Sequence, residues 1–234
     1  MSEPVKKTNQ NQSPESYSPE KPKLVNMVEE LNGHKVEIIK TIDINGAVFE
    51  VIRKPRTIYA GVIGYADEIG PEPEIDMLSG KMFWDNVESP VRKNPIDRII
   101  AGKISPTWEV VVSINYWKGN EAKKGMMFAR EVNTTEQPDG VYVHEQAETL
   151  YIRCQCNVES AKLLGREHCA PYELFGYIRE KVASEHGYEF DRAWQEIEYI
   201  EYNSTDVFYI EEDSPRNHDI INMYSYIPVV PKEK

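Results

Sequence analysis

Cysteine, long apolar runs and clustered basic residues are scarce in this chain, and each shortage removes a class of function. Cys154, Cys156 and Cys169 are an odd number of thiols behind a polar N-terminus with no signal-peptide stretch, so reduced thiols are expected rather than a disulfide framework. The longest apolar runs, such as 110–112, fall far short of the ~20 residues that cross a bilayer. A soluble, cytoplasmic protein without a membrane partner is the expectation. Lys and Arg number 27 against 39 Asp and Glu, a formal net charge of −12, and no basic cluster is large enough to build a phosphate-binding face. That argues against direct binding of nucleic acid. No Gly-rich phosphate loop follows an expected strand, and His144, His168 and His186 have no partner serine or cysteine at a nucleophile elbow, which excludes phosphoryl transfer and triad hydrolysis. Cys154, Cys156, His168 and Cys169 lack structural-zinc spacing, so neither metal nor cofactor is expected.

What the chain does have is enough apolar residue, 40% of 234, to build a core. Residues 1–22 hold four prolines and hardly any large apolar group, and read as a disordered tail. Residues 23–46 read as a short helix and strand extension. The helix is expected from the spacing of Leu24, Val25, Val28 and Leu31, with Asn32 and Gly33 ending it. Asn45-Gly46 between two apolar-rich runs predicts a tight hairpin, and Pro55 interrupts its second strand before another strand begins. Helical patterns follow around Met77, Met82, Phe83, Trp84 and Val87, and then around Ile96, Ile99 and Ile100. Stretches 108–117 and 125–132 alternate as an antiparallel strand pair.

The second half repeats the plan, with strands at 140–146 and 148–156, a helix over 171–184, and strands at 195–202 and 220–229. Pro171 suits the helix's first turn and Gly187 its end, with Leu174, Tyr177, Ile178 and Val182 as the core stripe. Strand, strand, helix, strand, strand thus appears twice, and the expected fold is α+β: two related halves sharing one antiparallel sheet system, with a ligand cleft between the halves.

One stretch points toward chemistry. In "WQEIEYIEYN", 194–203, three carboxylates interrupt a strand pattern. Alternation puts Glu196 and Glu198 on one face and Ile197 and Tyr199 on the other, so the acids either meet solvent or look into a cavity that wants negative charge.

Four stretches taken together resemble the GyrI-like small-molecule-binding family, the effector domain of AraC- and MerR-type regulators. They are "FEVIRKPRTIYAGVIG", "GMMFAREVNTTEQPDGVYVHEQAETLYIRC", "PYELFGYIREKVASEHGYEFDRAWQEIEYIEYN" and "INMYSYIPV". The resemblance covers residues 47–231. It implies duplicated strand-helix-strand-strand modules with pseudo-twofold symmetry around an aromatic pocket with a glutamate at its floor, and bulky, often cationic, amphipathic ligands. Some standalone members of the family hydrolyse cyclopropane-bearing genotoxins. The family's Phe-Glu-x-Tyr pattern maps imperfectly here, which favours Glu198 as the acid with Glu196 and Glu201 as register alternatives.

A carboxylate among rings attracts a cation in a poorly screened setting, and each ring face adds ~0.5 to 2 kcal/mol. The same group, with Glu198 as general base, could direct water at an electrophile. Candidate walls are Trp84, Tyr116, Trp117, Tyr151, Tyr172 and Phe175, for each of which core packing is the plain alternative. Three functions therefore stand: a standalone binder of small molecules, a hydrolase of electrophiles, and an acidic DNA mimic that inhibits DNA gyrase. A separate regulator is a further conceivable protein partner.

Overall fold

The computed structural model describes residues 27–31, 34–65, 95–105, 108–117, 122–169, 171–202 and 220–233. Eleven strands lie within them: β1 (Met27–Leu31), β2 (His34–Ile44), β3 (Ala47–Lys54), β4 (Thr57–Tyr65), β5 (Trp108–Ile114), β6 (Gly125–Val132), β7 (Tyr142–Gln146), β8 (Thr149–Gln155), β9 (Tyr188–Phe190), β10 (Glu196–Tyr202) and β11 (Ile220–Pro231). They form one sheet in the order β1, β2, β3, β8, β11, β10, β5, β6, β4, β7, with β9 beside the end of β11. Each strand pairing is antiparallel. With few helices beside this sheet among the described residues, the fold is α+β.

The Asn45-Gly46 turn joins β2 to β3 as expected. Both residues have positive φ, 54° and 89°, and the Gly46 N–H donates to Asp43 Oδ1 at 2.9 Å. A residue pair that tolerates left-handed backbone is what a two-residue hairpin needs. β5 and β6 pair as the alternation predicts, with Val110 opposite Ala129. Pro55 does end β3, but β4 does not lie beside it: β4 pairs with β6 and β7 near the far edge of the sheet.

The helix expected over the 24–31 stretch is corrected. Residues 27–31 are strand β1, with Leu31 opposite His34 and Met27 opposite Ile38. Only two residues separate the paired strands, the length of a hairpin link, and the unpaired edge of β2 offers backbone partners that a helix would forgo. The tail at 1–22 and the helical pattern around Trp84 lie outside the described residues. Of the second pattern, α1 spans Pro95–Ile99, and Ile96 and Ile100 pack on Ile58 and Val132.

Helix α2 (Val158–Leu163) is six residues long and opens on a capping box. Asn157 Oδ1 accepts from the Ser160 N–H at 3.0 Å, and Ser160 Oγ accepts from the Asn157 N–H at 2.8 Å. The predicted helix over 171–184 is a continuous helical segment: α3 (Pro171–Tyr177), a π-type turn at Ile178–Val182, and α4 (Ala183–Glu185). Leu174, Ile178 and Val182 are fully buried against Phe49, Val51, Ile152, Ile227 and Val229 on one face of the sheet. The opposite face carries a second core around Ile52, Tyr59, Val110, Val112, Tyr151, Ile197, Tyr199 and Tyr226.

A buried acid on the tyrosine face: the candidate functional site

Alternation along β10 separates its acids from the rings. Ile197 and Tyr199 are fully buried in the tyrosine-rich core. Glu196 turns to the helix side, where Arg179 Nη1 of the π turn lies 2.6 Å from its Oε1. Glu198 shares that face, half-buried, opposite Ser225 of β11 and Val111 of β5. The Glu201 side chain lies outside the described ones.

The predicted wall residues are distributed over different places. Trp84 lies outside the described residues. Tyr116 and Trp117 follow β5. Trp117 stacks edge-on to Phe190 with centroids 5.2 Å apart, and the Arg179 guanidinium sits 4.4 Å above its ring. Phe175 is buried in the helix–sheet core, whereas Tyr172 is 63% exposed at the start of α3. Tyr151 lies on the tyrosine face. The structure thus brings Trp117 near Glu196, while Phe175 and Tyr151, of the described walls, lie in separate cores on opposite faces of the sheet.

The acid that does sit among rings is Glu131 of β6, directly opposite Tyr59 of β4. Its side chain is 3% exposed. The Glu131 Oε1 accepts from the Lys54 ammonium and from the Tyr199 hydroxyl, the latter at 3.4 Å. Since Tyr199 donates its proton there, its oxygen is left to accept from the Tyr59 hydroxyl at 3.1 Å. Lys54 donates a second bond to Thr57 Oγ1 at 2.7 Å and lies 5.5 Å and 5.4 Å from the Tyr59 and Tyr199 ring centroids.

More rings continue the surface. Tyr199 and Tyr226 have centroids 4.7 Å apart, Tyr151 lies edge-on to Tyr226 at 5.9 Å, and Trp108 and Tyr224 meet at 6.1 Å. Tyr59, Tyr151, Tyr199 and Tyr226 are buried, while Trp108, Tyr142 and Tyr224 are half-buried beside them. The Gln146 amide donates to the Tyr151 hydroxyl.

The electrostatics follow from burial. Loss of water pushes the Tyr59, Tyr151 and Tyr199 phenols well above their ordinary value, and the Glu131 charge adds to the effect. Those hydroxyls therefore stay neutral donors. Burial lowers the affinity of Lys54 for its proton, and the Glu131 carboxylate partly offsets this. Lys54 already supplies a cation to the buried acid.

Sequence reasoning passed over Tyr59, Glu131 and Lys54. For Glu131 a signal was present: in "GMMFAREV" period two puts it in the same row as Met127 and Ala129, so one acid ends an otherwise apolar face. Among the described residues no group of three or more His, Cys, Asp or Glu could hold a metal ion, and no helix is long and apolar enough to cross a membrane.

No family model matches the sequence, and no curated protein matches it. Among solved structures, the chain is similar to SAV2435 bound to tetraphenylphosphonium, at 10% identity and a TM-score of 0.46, over 78% of this chain and 93% of that one. It is also similar to the EcmrR C-terminal domain, at 7% identity and a TM-score of 0.45, over 80% of this chain and 99% of that one.

Proposed function

We propose that this chain is a small-molecule-binding module of GyrI-like type. It takes bulky amphipathic compounds on the tyrosine face, with Glu131 rather than Glu198 as the acid at the floor. The observation that carries the proposal is the buried Lys54–Glu131 pair set among Tyr59, Tyr199 and their neighbouring rings. A core that needed only bulk would be served by phenylalanine, without hydroxyls and a charge pair to desolvate. Flat amphipathic rings with one buried acid suit ligands that are large, apolar and positively charged.

Strand order supports the duplicated reading. Outward from the β10–β5 seam the sheet runs β10, β11, β8, β3 on one side and β5, β6, β4, β7 on the other. β3, β4, β5 and β6 of the first half thereby take the places of β7, β8, β10 and β11 of the second. A pseudo-twofold axis at that seam would put the cleft beside Tyr199, with residues 47–231 as the binding domain.

Because Lys54 already occupies the acid, a cationic ligand must displace or re-aim its ammonium. The test is a tetraphenylphosphonium titration followed by quenching of intrinsic fluorescence, with folding checked by circular dichroism. Glu131→Gln should weaken binding at least tenfold, about 1.4 kcal/mol, and Glu198→Gln should leave it unchanged. The reverse pattern would move the site to the helix side of the sheet, and no binding by the native chain would end the proposal. Turnover of a strained electrophile in the same preparation separates a binder from a hydrolase.

A further inference from the structure

On the helix side of the sheet, away from the tyrosine face, a cavity of about 790 Å³ lies where β8, α2 and the start of α3 meet. Cys156 and Cys169 both line it, with Arg166, His168, Tyr172 and Glu173. Cys156 directly follows β8 and is fixed by its N–H bond to Met223 O at 2.8 Å. Cys169 lies two residues before Pro171, at the entry to α3. The short α2, held by its Asn157 cap, turns the chain so that both thiols line one cavity, within hydrogen-bonding reach of each other.

We propose that Cys156 and Cys169 are a hydroperoxide-responsive dithiol, with Cys169 as the attacking thiolate and Cys156 as the resolving thiol. In the first step the Cys169 sulfur attacks one peroxide oxygen. The O–O bond breaks, the hydroxide or alkoxide leaves and takes up a proton, and Cys169 becomes a sulfenic acid. In the second step the Cys156 sulfur attacks that of Cys169, an S–S bond forms, and the sulfenic oxygen leaves as water with the Cys156 proton. Two equivalents of a small thiol return both residues to the reduced state.

The surroundings divide the two roles. The hydrogen bond from Cys156 stabilises the Cys169 thiolate and, against the opposing effect of burial, pulls it down to about 7. Ser160, by a hydrogen bond, and then Arg166 add to this, and Glu173, whose Oε1 lies 2.9 Å from Arg166 Nη1, opposes it. The same bond, together with burial, raises Cys156, so Cys156 keeps its proton until Cys169 has reacted. Two thiols on one cavity lining, within hydrogen-bonding reach of each other, are placed to form the S–S bond without rearrangement of distant parts of the chain. Cys154, buried in the helix–sheet core and pushed up to about 12 chiefly by burial, is an internal control.

The test treats the reduced full chain with a small excess of hydrogen peroxide near neutral pH, blocks residual thiols by alkylation, and maps peptides without reduction. One disulfide joining Cys156 to Cys169, reversed by dithiothreitol, is expected, with Cys154 alkylated. In Cys156→Ser a dimedone-trapped sulfenic acid should accumulate on Cys169 instead. If that variant does not fold, the map of the native chain decides alone. Oxidation of Cys154 at the same rate, a disulfide to Cys154, or no disulfide overturns the proposal.

Discussion

The Tyr59 and Tyr199 hydroxyls meet at 3.1 Å although their strands are not neighbours: β6 and β5 run between β4 and β10. Three strand steps of ~4.8 Å separate the two backbones. Two phenol side chains close that gap on the face that Val110 and Ala129 of the intervening strands also line. Residues 140 positions apart in the chain are joined this way, and their junction rests on Glu131.

This contact predicts a measurable coupling. Tyr59→Phe and Tyr199→Phe each remove one hydroxyl of a buried chain that ends on a carboxylate, and each should cost ~1 to 2 kcal/mol in urea denaturation. The double variant should cost less than the sum, by ~0.5 to 1.5 kcal/mol, since the second deletion removes a group already orphaned by the first. Strict additivity would mean that the two hydroxyls do not act together.

Lys54 and Glu131 are each nearly inaccessible, so removing one strands the other. Lys54→Met leaves a buried carboxylate and should cost ~3 to 5 kcal/mol, and Lys54→Met with Glu131→Gln should recover most of it. If the tyrosine face is the ligand site, a lipophilic cation such as tetraphenylphosphonium should replace the lost ammonium. It should then raise the melting temperature of Lys54→Met by more than that of the native chain. An equal rise in both would separate ligand binding from Glu131.

Local geometry was legible wherever a few adjacent residues determine it. Asn45-Gly46 announced the β2–β3 hairpin, and Pro171 with Gly187 bracketed the long helical segment. The alternation in β10 correctly parted Glu196 and Glu198 from Ile197 and Tyr199. Which of those faces is lined by rings was not legible, because Tyr59, Tyr151 and Tyr226 arrive on β4, β8 and β11, none fixed beside Tyr199 by nearness in the chain. β1 was misread as helix because five residues hold too little periodicity to outweigh an available strand edge. α2 is equally short, and its one local signature is the Asn157 cap.

On the helix side, Arg179 and Glu196 make an asymmetric pair. Burial raises the Glu196 carboxyl, while Arg179 and the Trp117 indole pull it back toward ionisation. Because the desolvation cost exceeds what the partners return, Glu196→Gln should change stability by less than ~1 kcal/mol. Arg179→Ala leaves the acid buried without its cation and strips a cover from Trp117, and should cost ~3 kcal/mol or more. Paired thermal melts check the ranking, and equal losses would show that the ion pair itself is what stabilises.

Alkaline unfolding follows from the tyrosine face with a definite sign. The Tyr59, Tyr151, Tyr199 and Tyr226 phenols are all raised above their ordinary value of 10.0, mainly by burial. Their contribution is complete below pH 10.0 and is lost above it, because the unfolded chain gives up protons that the folded chain must keep. Each phenol contributes ~1.4 kcal/mol per pH unit in that window, so four give about 5 to 6 kcal/mol per unit. Lys54 acts the other way: its lowered folded value makes the unfolded state the better proton binder up to 10.5, and above that value the opposition disappears. One lysine cannot balance four phenols. Urea midpoints should fall steeply above pH 10, and phenolate absorbance from these residues should appear in one cooperative step together with loss of β-sheet circular dichroism. Gradual ionisation with the sheet intact would mean that water already reaches the rings.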